Sequence, residues 1–81
     1  MLEVFYTGGG IWLAEMELED GLYAVVNSEF PNYLSIYKYP DEEDDEKYLP
    51  DDMILCKRAE TLYGAHLDMY NELADELKKV L

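Results

Sequence analysis

Ile11-Trp12-Leu13-Ala14-Glu15-Met16-Glu17-Leu18-Glu19-Asp20-Gly21-Leu22-Tyr23-Ala24-Val25-Val26 decides the fold. Trp12, Ala14, Met16 and Leu18 recur at every second position, with Glu15, Glu17 and Glu19 among the residues between them. A period of two is that of a strand with one buried face. Asp20-Gly21 then separates two such runs. An Asp-Gly pair favours the type I′ hairpin turn, which needs positive φ at both central residues. With Asp20-Gly21 as a two-residue loop, Leu18 faces Tyr23 and Met16 faces Val25 in a shared inward row. Glu15, Glu17 and Glu19 then form an acidic row on the outward face.

The flanking sequence extends this hairpin in both directions. Leu2–Tyr6 is predicted as a short strand, and Thr7-Gly8-Gly9-Gly10 as the turn that joins it to the next. Asn27–Asn32 is predicted as a second turn. Tyr33–Tyr39 alternates again, with Tyr33, Ser35, Tyr37 and Tyr39 on one face and Leu34, Ile36 and Lys38 on the other. Pro40 cannot donate to a ladder and ends that strand. An acidic loop is expected over residues 40–52, followed by a short strand at Met53–Cys56.

Near Ala59 the period changes. Leu62, His66, Met69, Leu73, Leu77 and Val80 are spaced three or four apart, which makes one apolar stripe on a helix of about residues 59–80. Lys78 and Lys79 suit the negative end of its dipole, and Asp75 with Lys79 makes an i,i+4 pair. Gly64 weakens the first turn by about 1 kcal/mol. Residues 1–81 therefore predict one α+β domain: an antiparallel β-meander of three to five strands with a C-terminal amphipathic helix packed on one face.

Composition agrees with a folded core. Hydrophobic residues make up 49 %, and there are eight Tyr, two Phe and one Trp. Acidic disordered chains lack such aromatics. Cys56 is the sole cysteine, so no intrachain disulfide forms, which fits a reducing, cytoplasmic setting. The start of the chain does not read as a signal peptide, and no run of about 18 apolar residues reads as a membrane span.

Charge dominates the functional reading. The 81 residues carry 19 acids against 6 bases, a formal net charge of -13. Six of the acids are consecutive: Asp41, Glu42, Glu43, Asp44, Asp45 and Glu46. Such a field repels nucleic acid and anionic membrane as direct ligands and favours a basic protein surface.

Catalytic and metal motifs fail on spacing. Counted from Asp41 as a calcium loop, position six is Glu46, where a Gly is needed. Thr7–Gly10 leads into a strand and lacks the Gly-Lys-Ser/Thr of a phosphate loop. Cys56 and His66 have no orienting third group, and an acidic field disfavours a thiolate. They read instead as a small core cysteine and a half-buried histidine, and no cofactor or enzyme activity is expected. Tyr33, Tyr37 and Tyr39, joined by Glu15, Glu17 and Glu19, offer rings for cation–π contact and carboxylates for arginine. The residues expected to bind a partner are these six and Asp41–Glu46. The function expected is a small acidic module that docks on a basic protein, in its sharpest form a nucleic-acid mimic that inhibits a nuclease or DNA-binding protein. The alternative is a self-associating structural or regulatory protein, a homodimer whose acidity serves solubility.

Overall fold

The structure is a computed structural model that describes residues 2–19, 21–38 and 52–81. Five strands form one antiparallel meander: β1 (Leu2–Gly8), β2 (Ile11–Glu19), β3 (Leu22–Asn27), β4 (Phe30–Lys38) and β5 (Met53–Arg58), ordered along the sheet as in the chain. A 3-10 turn at Ala59–Thr61 leads to one helix, α1 (Gly64–Lys78), which lies on a single face of the sheet over β1, β2 and β3. The α+β meander with its C-terminal helix is thus the observed architecture.

Where the helix crosses, Ala14 and Ala24 are fully buried. Small residues on the sheet let Leu73 and Leu77 of α1 approach closely, and these leucines are 0 % and 2 % exposed. Val26, Leu34, Ile36 and Leu62 complete the buried cluster, with Trp12, Met16, Leu22 and Leu55 packed around it. Each fully buried leucine contributes about 1.5–3 kcal/mol of transfer free energy.

The hairpin register differs from the expected one. Opposite partners are Met16–Ala24 and Ala14–Val26, and a bulge lies between Glu17 and Glu19. The extra residue, Leu18, shifts the pairing by one position, and such a shift exchanges the faces of the following strand. Leu22, Ala24 and Val26 therefore point to the helix, while Tyr23 and Val25 sit beside Glu17 and Glu15 on the other face. The pairs Leu18–Tyr23 and Met16–Val25 do not form. The gain is core complementarity, because Val26 rather than Asn27 meets Ala14 under the helix. Gly21 at φ +76° supplies the positive dihedral that the turn requires.

The second turn is shorter than expected. Asn27 pairs with Phe30, so β4 begins three residues before Tyr33. The Glu29 N–H donates to Asn27 Oδ1 at 2.8 Å. Ser28 bridges back to β2: its N–H donates to the Trp12 carbonyl at 2.9 Å, and its Oγ accepts from the Trp12 N–H at 2.8 Å. The expected faces of β4 are observed at Leu34 and Ile36 in the core and Tyr33, Ser35 and Tyr37 opposite.

The helix is shorter than the apolar stripe. Gly64 has φ +60°, which ends the preceding turn and starts α1 afresh, and Val80 falls beyond its last residue. Lys79 pairs with Glu76 at 2.9 Å instead of Asp75. Tyr70 ties α1 to β4 by donating its hydroxyl to the Pro31 carbonyl at 2.6 Å. No described helix is long and apolar enough to cross a membrane.

Candidate functional site

The face of the sheet opposite α1 carries the residues with chemical interest. At its β1–β2 end, Glu3 and Glu15 are direct cross-strand partners. Glu17 lies one alternation further along β2, at about 6.6–6.8 Å. Like charges placed opposite each other destabilise a sheet. Glu15 is 8 % exposed, whereas Glu3 and Glu17 are exposed. Glu17 Oε2 accepts from the Tyr23 hydroxyl at 3.1 Å. No hydrogen bond or ion pair reaches the Glu15 carboxylate among the described residues. Charged side chains are almost never fully buried unless paired, and an unpaired one costs free energy. Glu15 is therefore the least explained group in the structure.

The same face continues into a concavity of about 460 Å³. Leu13 and Val25 form its floor at 7 % and 4 % exposure. Tyr33 and Tyr37 line it, half-buried, and Phe30 and Met53 stand at its rim, 56 % and 39 % exposed. Asn27, Ser35 and Cys56 add polar atoms. Burial pushes the Tyr37 phenol above its ordinary value of 10.0. A hydrogen bond with Ser35 acts in the opposite sense, and the charge of a Cys56 thiolate would add to the rise. At the β4–β5 end, Arg58 Nε donates to the Tyr33 hydroxyl at 3.2 Å, and its Nη1 lies 3.6 Å from Glu60. The Tyr33 bond, followed by Glu60, holds the guanidinium still more firmly in its charged form.

Of the residues expected to bind a partner, the sheet brings Glu15, Glu17, Tyr33 and Tyr37 to this face. Glu19 is not in line with them. The bulge sets it across from Leu22, whose side chain packs in the core. Tyr39 and Asp41–Glu46 lie outside the described residues. Cys56 is exposed, not a core residue, because it pairs with Ser35 on this face of the edge strand β5. His66 is half-buried at the start of α1.

Sequence reasoning missed Glu3 and the floor of the concavity. Glu3 belongs to the cluster only through the β1–β2 register, Val25 is placed in the inward row by a hairpin register that the bulge alters, and the alternation of Trp12, Ala14, Met16 and Leu18 gives Leu13 no role. Among the described residues, no group of three or more His, Cys, Asp or Glu could hold a metal ion. No family model, curated protein or solved structure matches the chain.

Proposed function

We propose that this chain is a small acidic binding module that docks a basic protein surface on the face of its sheet opposite α1. The observation that carries the reading is the cluster of Glu3, Glu15 and Glu17 on the face that also holds Tyr33 and Tyr37, in a chain of net charge -13. Three carboxylates in one small area repel each other, and a cation between them turns that repulsion into attraction. The long-range field raises the rate at which a basic partner arrives. In its sharpest form the reading is nucleic-acid mimicry, with carboxylates in place of phosphates and a nuclease or DNA-binding protein as target. The alternation of Glu15 and Glu17 is close to the spacing of successive phosphates, which supports this form. The departure of Glu19 from the row counts against a long mimic track.

A second reading is self-association, favoured by the exposed apolar rim at Phe30 and Met53. Sedimentation separates the two, since a monomer across the accessible concentration range removes it.

The test is capture from a bacterial lysate at low and high salt, with wild type and a Glu3→Gln/Glu15→Gln/Glu17→Gln variant, followed by direct binding of the purified captured protein. The expected result is a basic protein held by wild type at low salt and released by high salt or by the variant. If wild type captures no salt-sensitive protein, or the variant captures it equally well, docking through this face is wrong.

A further inference from the structure

Glu15 and the concavity are parts of one surface. Leu13, on the floor, is two residues from Glu15 on β2, and Val25, also on the floor, is its direct partner on β3. Alternate residues of an extended chain are about 6.6–6.8 Å apart. A bound extended segment therefore meets the carboxylate and the floor with side chains two positions apart.

The cation for Glu15 must come from outside the described surface. Arg58 stands outside the concavity, at the β4–β5 end of the sheet, where Tyr33 and Glu60 already hold it. A buried carboxylate with carboxylates on a neighbouring strand and one alternation along its own suits a planar, multidentate guanidinium better than an ammonium. The apolar floor and the rings of Tyr33 and Tyr37 suit an aliphatic side chain next to it.

Resting on the docking reading above, we infer that this face binds an extended segment of a basic protein that carries an arginine and an aliphatic residue two positions apart. The arginine sits on Glu15 with Glu3 and Glu17 around it, and the aliphatic side chain fills the concavity over Leu13 and Val25. The partner's arginine thus fills the place of the counter-ion that buried Glu15 lacks within the described residues.

The test is a methyl NMR titration of the intact protein with the peptide acetyl-Gly-Arg-Ser-Leu-Gly-amide. Its comparators have Arg→Gln or Leu→Gly. The Leu13 and Val25 methyls are expected to shift with the first peptide. Either replacement, or Glu15→Gln in the protein, is expected to weaken binding about 10-fold or more, the worth of one charge-assisted hydrogen bond or one buried side chain. Glu15→Gln is isosteric, and its methyl spectrum reports whether it folds. The wild-type titrations with the three peptides stand without it. Equal binding of the Gln peptide, shifts confined to the helix-side methyls of Leu73 and Leu77, or Leu13 and Val25 shifts driven by protein concentration alone would each overturn the inference, the last by identifying a second copy as the occupant. Failure here together with a captured basic partner that depends on Glu3 and Glu17 would sink this segment and leave the docking function standing. Failure of both would remove both.

Discussion

Glu15 is the residue that links the stability of the fold to docking. It is 8 % exposed, it faces Glu3 across the β1–β2 ladder, and it gains no hydrogen bond among the described residues. A group that costs folding energy without return among the described residues is a natural place for a partner to repay it. Glu15→Gln keeps the shape and removes the charge, so we predict a gain of about 1 kcal/mol in urea unfolding with no change of slope. The same substitution is expected to weaken the docked complex, so stability and binding move in opposite directions. Tyr37 gives a second residue-scale prediction. Its folded phenol ionises above 10.0, chiefly because of burial, and the unfolded phenol ionises first as pH rises. Its contribution to stability is therefore complete below pH about 10 and is lost as pH climbs through the raised folded value. In a spectrophotometric alkaline titration the Tyr37 signal, identified by its loss in Tyr37→Phe, should appear above 10.0, and Tyr37→Phe should flatten the alkaline loss of stability.

At the scale of elements, the strands and the helix were legible because period two and the three-to-four stripe are direct consequences of which faces are buried. The faces of β4 could be read outright, since Leu34 and Ile36 alternate with tyrosines. The face of β3 could not. Leu22, Tyr23, Ala24, Val25 and Val26 are all compatible with a core, so alternation is silent there and the hairpin register decides. A bulge at Leu18 leaves no local mark in sequence, yet it exchanged the two faces of β3 and moved Glu19 out of the acidic row. The candidate site was legible to the same extent: its tyrosines and two of its glutamates came from strand alternation. Glu3 and the floor of the concavity needed the pairing itself. The junction into α1 shows the same limit. Gly64 reads as a weak helix residue, but its φ of +60° makes it the joint between the 3-10 turn and α1. A Cβ there meets nothing within 4 Å, so the cost of Gly64→Ala is conformational alone. We expect Gly64→Ala to destabilise by about 1–2 kcal/mol, and Gly64→Asn by less, both measured by urea unfolding. Leu73, fully buried against the sheet, is the larger lever. Leu73→Ala should cost about 2–5 kcal/mol. Set against the roughly 3–5 kcal/mol expected of a core this small, that leaves the variant about 3 kcal/mol at most, so its urea midpoint should fall to well under that of wild type.

For the whole molecule, charge and shape divide the work. The field of -13 brings basic partners in but cannot tell one from another, and salt screens it within about 8–10 Å under physiological conditions. Selection falls to the face that carries Glu15 and the tyrosine-lined concavity. The field also opposes folding, so the melting temperature should rise as salt increases from low to physiological strength. The most direct test of the central claim separates face from field. Binding of the captured basic partner is measured by calorimetry for wild type and for two variants that each remove three negative charges. One is Glu3→Gln/Glu15→Gln/Glu17→Gln on the sheet face, and the other is Asp68→Asn/Glu72→Gln/Asp75→Asn at exposed positions of α1. Docking through the sheet face predicts a loss of about 10-fold or more for the sheet variant and only a minor loss for the helix variant. Equal losses would contradict it, because they would mean that the partner responds to net charge and not to this face.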